Sequence, residues 1–128
     1  MRRKRIFINT SFESIYYLYV LALEEGKFYV GISTEPEYRY LQHKDGIGGA
    51  EYTSKYKPIA IVYKKSTGTP NKKEAEKQET DLTIELMKKY GPLNVRGGYF
   101  CSANDRIIMR QLKDRSALLE SIVKAFAK

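Results

Sequence analysis

Residues 17–43 read YLYVLALEEGKFYVGISTEPEYRYLQH, and the folding of this stretch decides how the rest of the chain is read. Two runs rich in aromatic and β-branched residues flank Glu24-Glu25-Gly26-Lys27, the pattern of two strands joined by a tight turn. If Gly26 takes the left-handed position of a three-residue turn, Leu23 faces Lys27, Leu21 faces Tyr29 and Tyr19 faces Gly31. Both tyrosines then share one face of the hairpin. A two-residue turn at Glu25-Gly26 shifts the register by one and sends them to opposite faces. Gly31, opposite Tyr19, leaves room for a ligand backbone to approach the phenol.

Working outward, Thr34-Glu35-Pro36-Glu37 predicts a helix start, with Thr34 and Glu37 as a capping box and Pro36 in the first turn. Arg39 and His43 are four residues apart and share one helix face, while Tyr38 and Leu41 form a separate apolar stripe. Spacing alone favours an ordinary solvated face over a paired cationic site. A glycine-rich loop at Gly46, Gly48 and Gly49 follows, then Tyr52-Thr53-Ser54-Lys55-Tyr56-Lys57-Pro58. Aromatic rings interleaved with lysines suit contact with a nucleic-acid strand through Lys44, Tyr52, Lys55 and Lys57. Tyrosines placed just before a strand pack into cores equally often.

Ile59–Tyr63 reads as a third strand and Ser66–Pro70 as a linker. Asn71 with Glu74 starts a second helix, whose apolar stripe runs Ala75, Leu82, Leu86, Tyr90. Glu79 falls on that stripe, where a carboxylate is costly unless it is paired, bound to metal or reaches solvent at the stripe's edge. Glu74, Glu76 and Glu85 face elsewhere. Gly91-Pro92 stops the helix, and from Ser102 a capped helix carries Ile107, Ile108, Leu112, Leu118, Leu119, Ile122, Val123 and Phe126, with a break expected at Arg115-Ser116.

At 128 residues the chain is long enough for one core, so a single domain over 1–128 is expected. A net charge of +8 and a pI near 9.5 favour a polyanionic partner. The lysine pairs 64–65, 72–73 and 88–89 are either solvated surface or, if they lie on the Tyr19 face, a phosphate track. One cysteine, Cys101, excludes an internal disulfide and a cysteine-rich zinc site; it suits a reducing cytoplasm and is expected to pack. Arg2-Arg3-Lys4-Arg5 opens no signal peptide, because Asn9, Ser11, Glu13 and Ser14 interrupt the apolar run, and it reads as a basic arm. No apolar stretch approaches membrane-spanning length.

The motifs Tyr17-Leu18-Tyr19 and Tyr29-Val30-Gly31, with Arg39 ten residues after Tyr29 and His43 beyond it, resemble the GIY-YIG nuclease family. The likeness runs from Tyr17 to about Gly98 and is closest to small stand-alone and structure-specific members. Tyr17 and Leu18 stand where the family has glycine and isoleucine, and Ile32 stands where excision-repair members carry lysine. The resemblance implies a mixed α/β (α+β) domain: a small three-stranded antiparallel sheet with surrounding helices. Residues 15–100 would form the nuclease-like core, and 102–128 a C-terminal helical extension that covers the sheet, docks a protein partner or self-associates.

It also implies phosphodiester hydrolysis, with DNA favoured over RNA. No second domain, zinc finger or long recognition helix is evident beside a charge of +8, so selection by shape rather than sequence is expected, although restriction members of the family reach sequence specificity through inserted loops. Tyr19, Tyr29, Arg39 and His43 would be catalytic, and Glu79 would hold a divalent metal, magnesium or alternatively manganese. Gly31 and Asn94 would be supporting residues. Tyr19 acting on water would need a phenol pKa below its ordinary value near 10. The cell compartment would be the cytoplasm, at the nucleoid, or the nucleus in a eukaryote. The rival reading is a binding or docking module on the same fold that has lost catalysis.

Overall fold

The structure, a computed structural model, describes residues 14–48 and 50–127. The basic arm at Arg2–Arg5 and Gly49 of the glycine loop lie outside the described residues. Strand β1 (Tyr17–Leu23) and strand β2 (Phe28–Ser33) form an antiparallel hairpin in which Tyr19 faces Gly31 and Leu21 faces Tyr29. The three-residue turn sets this register: Glu25 and Gly26 both have positive φ, 61° and 71°, and Leu23 N–H donates to Lys27 O at 2.8 Å. Tyr19 and Tyr29 therefore share a face.

Helix α1 (Pro36–Asp45) begins one residue later than a capping box at Thr34 requires. Glu35 occupies the cap position without a side-chain cap bond, and its N–H is taken instead by Ser33 Oγ at 2.9 Å. Glu37 turns outward to form an ion pair with Lys64, which holds its carboxyl below the usual carboxylate range. Pro36 is buried at the first turn, as expected. Tyr38 and Leu41 are exposed, so the buried side of α1 is the one carrying His43, not the expected apolar stripe.

The segment read as a strand-contacting loop forms a short helix, α2 (Glu51–Lys55), and buries Tyr52 and Thr53. Strand β3 (Pro58–Ser66) then pairs antiparallel with β1, placing Lys64 directly across from Tyr19. Helix α3 (Lys72–Tyr90) starts where Asn71 Oδ1 accepts the Glu74 N–H, as the sequence predicts, and ends at Gly91. Its fully buried row is Ala75, Thr83 and Met87, four or eight residues apart, with Leu82, Leu86 and Tyr90 half-buried beside it.

The sheet has four strands, not three. Val95–Gly97 forms β4, parallel to β2, in the order β3-β1-β2-β4. The parallel pairing needs a crossover, and α3 provides it. Helices α4 (Asp105–Lys113) and α5 (Ser116–Phe126) follow, broken where the sequence predicts, although the cap on α4 is Asn104, whose Oδ1 accepts from Arg106 and Ile107 N–H.

Strand alternation gives the sheet two apolar sides. Leu18, Val20 and Val30 pack with Met87, Val95, Phe100, Ile108, Leu112 and Ile122, so the C-terminal helices share the core of the sheet. Tyr19, Leu21 and Leu23 pack on the other side with Tyr52, Tyr29, Tyr40, Tyr56 and Ile61. This second layer is made largely of phenols, and the candidate site lies within it.

Candidate active site

Tyr19 is 1% exposed and His43 wholly buried. The Tyr19 hydroxyl lies 3.1 Å from His43 Nε2, and His43 Nδ1 lies 2.9 Å from Thr53 Oγ1. Thr53 in turn donates to the Ala50 carbonyl at 2.9 Å. A carbonyl only accepts, so the Thr53 proton points at Ala50 and its oxygen is left to accept from Nδ1–H. Nε2 then carries the lone pair and accepts from Tyr19. Burial, helped by the Arg39 charge, lowers the His43 pKa to about 4, which keeps the imidazole neutral with that lone pair free.

Gly31 is what admits the Tyr19 ring. A Cβ at Gly31 would stand 2.4 Å from both Cζ and the hydroxyl oxygen of Tyr19. The space expected for a ligand backbone is filled by the phenol itself. Burial and then the neighbouring Tyr29 raise the Tyr19 pKa well above the ordinary phenol range, with Arg39 pulling against them. The lowered phenol pKa expected from the sequence is thus reversed: desolvation of a nearly inaccessible oxygen outweighs one guanidinium.

Tyr29, 5.0 Å from His43 between ring centres, is likewise pushed up to about 12 by burial and by Glu79. Arg39 Nη1 donates to Gln42 Oε1 at 3.1 Å and to the Gly48 carbonyl at 2.7 Å, which ties the end of the glycine loop to α1. Its charge is felt by Tyr19, Tyr29 and His43.

Glu79 lies on the buried row of α3 between Ala75 and Thr83, and Thr83 Oγ1 donates to its carbonyl at 2.7 Å. β4 pairs only with Phe28–Val30, so the outer edge of β2 beyond Val30 is open, and the Ile32 backbone there acts on the Glu79 carboxyl. Burial first and the Glu76 charge second raise the Glu79 pKa to about 7. Glu76 does not face elsewhere: it lines, with Glu79, Thr80, Gly98 and Tyr99, a cavity of about 290 Å³. Of these residues, the Glu79 carboxylate is the group that could hold a hard divalent ion. Among the described residues no group of three or more histidine, cysteine or acidic side chains forms a closed metal site.

The structure thus brings Tyr19, Tyr29, Arg39 and His43 together, with Glu79 within electrostatic reach of both phenols. Lys64, which the sequence could not place, lies opposite Tyr19 in the sheet, but its ammonium is engaged by Glu37. Asn94 stands apart at the turn end of the hairpin, where it accepts from Lys27 Nζ at 2.7 Å and donates to Tyr90 O at 2.8 Å.

Tyr52 does not present a stacking face: its hydroxyl donates to Leu93 O and its ring packs on Tyr56 and under Arg96. Lys44, Lys55 and Lys57 are exposed. Lys57 lies beside the turn, where its carbonyl accepts from Glu24 N–H. Cys101 is exposed rather than packed and is close enough to Tyr29 to affect its titration. Two residues missed from the sequence are Thr53, which fixes the histidine, and Arg96. The latter is wholly buried, donates to Ser102 O, Pro92 O and Val95 O, and pairs with Asp105.

The hairpin thus carries paired tyrosines, the next helix an arginine and a histidine, and α3 a lone carboxylate. The family model described as the GIY-YIG catalytic domain matches residues 15–91, and the chain belongs to that family. It is a nuclease family whose members act on nucleic acid and generally depend on a divalent metal.

Among curated relatives, a "UPF0213 protein" of Enterococcus faecalis is 39% identical over 59% of this chain and 88% of its own length. Another from Staphylococcus saprophyticus is 33% identical over 58% and 88%, and one from Cupriavidus pinatubonensis 39% over 54% and 73%. No solved structure gives a significant match. Among the described residues no helix is long and apolar enough to cross a membrane.

Proposed function

We propose that this chain is a divalent-metal-dependent endonuclease that cleaves DNA and selects its substrate by shape rather than by base sequence. The observation that carries this reading is the directed hydrogen-bond chain Tyr19 to His43 to Thr53, set beside Arg39 and Glu79. Nothing in the packing of the hairpin requires a buried histidine there, and an ordinary core would fill the position with an apolar residue.

The raised phenol pKa defines how Tyr19 works. A free tyrosinate is disfavoured in this pocket, so Tyr19 accepts a proton from the attacking water only as it gives its own to His43 Nε2. The phenol stays neutral throughout, and Thr53 keeps the imidazole in the tautomer that can receive the proton. The negative charge of an incoming phosphate offsets Arg39, one of the two causes that hold His43 neutral, so substrate itself raises the basicity of Nε2.

Water oxygen attacks phosphorus and the bond to the leaving oxygen breaks; that oxygen takes a proton from solvent while His43 returns its proton to solvent. Arg39 stabilises the charge that gathers on the phosphoryl oxygens. Tyr29 lines the same cluster, with its ring centre 5.0 Å from that of His43. Glu79 would hold a divalent ion, magnesium in the first instance, which would supply further charge stabilisation to the reaction. The lone exposed cysteine fits a reducing cytoplasm.

The experiment is a cleavage assay on flapped, branched, nicked, single-stranded and plain duplex DNA and on RNA, with and without magnesium. Metal-dependent cuts at branches or flaps support the reading. Tight binding with no cleavage of any substrate identifies a binding module on this fold instead.

A further inference from the structure

The segment after β4 and the junction between α4 and α5 lie beyond the residues the family model matches, yet they meet at the edge of the Glu79 cavity. Gly97 and Phe100 exchange two backbone hydrogen bonds of 2.9 Å, which closes a tight turn. Gly98, at φ 53°, is pressed so close to α3 that a Cβ there would stand 2.3 Å from Thr80 Oγ1. Thr80, the neighbour of Glu79, accepts the Tyr99 N–H at 3.1 Å. Three fixed contacts therefore hold Tyr99 on the cavity rim.

Tyr99 nevertheless remains 50% exposed, while the adjacent Phe100, its ring edge-on at 5.1 Å, is buried. The Arg115 guanidinium lies 4.4 Å from the Tyr99 ring centre. Arg115 makes no ion pair among the described residues; its one side-chain hydrogen bond there goes to the Gln111 carbonyl. A rigidly mounted, half-exposed aromatic ring with an unneutralised guanidinium is the chemistry that receives a nucleobase and its phosphate.

We propose that Tyr99 and Arg115 form a strand-holding site that stacks an unpaired base of the nucleic-acid substrate on Tyr99 and contacts the adjacent phosphate through Arg115, next to the Glu79 cavity. The inference rests on the nuclease reading only for its substrate class. It gives the C-terminal helices a part in binding, since Arg115 stands at their junction, and it favours substrates that offer an unstacked base.

The test uses the full chain and a fluorescent flap DNA carrying 5-iodouracil in the flap. One base–aromatic stack is worth about 1–3 kcal/mol, which corresponds to roughly a 5- to 150-fold change in Kd. Tyr99→Ala is expected to raise Kd and KM into that range while kcat stays within about twofold, and Tyr99→Phe to restore binding. Arg115→Ala is expected to lower the slope of log Kd against log salt by about one. Light should crosslink the iodouracil to Tyr99. Unchanged Kd and KM in Tyr99→Ala, with the crosslink elsewhere, would overturn the site even if the chain proves to be a nuclease. Crosslinking and binding loss at Tyr99 without cleavage by the wild-type chain would uphold the site while the nuclease reading fails.

Discussion

Tyr19 and Gly31 face each other across the hairpin with no space between them: a Cβ at Gly31 would lie 2.4 Å from the phenol oxygen. The glycine fixes where the Tyr19 hydroxyl sits, and so whether it reaches His43. Gly31→Ala is expected to push the ring away from Nε2 and to lower cleavage at least about 100-fold, a loss of some 2.7 kcal/mol in transition-state stabilisation. Overpacking should cost about 1–3 kcal/mol of stability as well. Parallel measurements of single-turnover cleavage and thermal unfolding check both; wild-type rates in a stable Gly31→Ala protein would show that Tyr19 needs no fixed position.

Thr53 offers a subtler test, because it touches His43 and not the substrate. Thr53→Val keeps the shape but leaves the buried Nδ1–H without an acceptor, which costs about 1–3 kcal/mol. The neutral tautomer then loses its preference, and cleavage should fall roughly tenfold with KM unchanged. Thr53→Ser, which retains the hydroxyl, should recover most of the rate. Failure of serine to rescue would assign Thr53 to packing.

Glu79 and His43 carry opposite pH signatures. Glu79 is raised from 4.5 to about 7, so the folded state holds its proton more tightly; that stability is complete below about pH 4.5 and is lost as pH rises through 7. His43 is lowered from 6.5 to about 4, so its stability is complete above pH 6.5 and is lost as pH falls through 4. The two offset each other in the wild type. Without metal, Glu79→Gln should therefore be more stable than wild type by about 1 kcal/mol near pH 8, allowing for partial exposure, and equal to it below about pH 4.5. Denaturant unfolding at the two pH values decides the sign.

On the proposed reading, the net charge of +8 rather than base contact dominates binding to DNA. Binding should weaken steeply between about 50 and 200 mM salt and differ little between unrelated sequences of one shape. Junctions or flaps should be preferred to plain duplex. Digestion of a random linear duplex into discrete fragments that share one motif at every end would contradict this.

The fold was legible where local chemistry left few options. Gly26 marked the turn but left two registers open, of which the three-residue turn is the one formed, and Asn71 and Gly91 bounded α3. β4 was not legible, because Val95-Arg96-Gly97 is too short to show alternation and pairs in parallel with a strand more than sixty residues earlier. The capping box is absent because the helix starts one residue later, with Glu35 at the cap position, and the Glu37 carboxylate is drawn to Lys64.

The candidate site was legible as a set of residues but not as an electrostatic environment. Spacing placed Arg39 and His43 on one face, yet only the fold shows His43 buried and Tyr19 raised rather than lowered. Thr53 and Arg96 carry no sequence signal, since a buried hydroxyl and a buried guanidinium are recognised by their partners, which come from other elements.

The most direct test is the magnesium dependence of DNA cleavage by purified Glu79→Gln beside the wild-type chain. The wild type should cleave only with a divalent ion, whereas Glu79→Gln should lose at least about 1000-fold in rate while remaining folded, the loss of roughly 4 kcal/mol expected when a charge-stabilising group at the reacting phosphate is removed. Undiminished metal-dependent cleavage by folded Glu79→Gln would contradict the account.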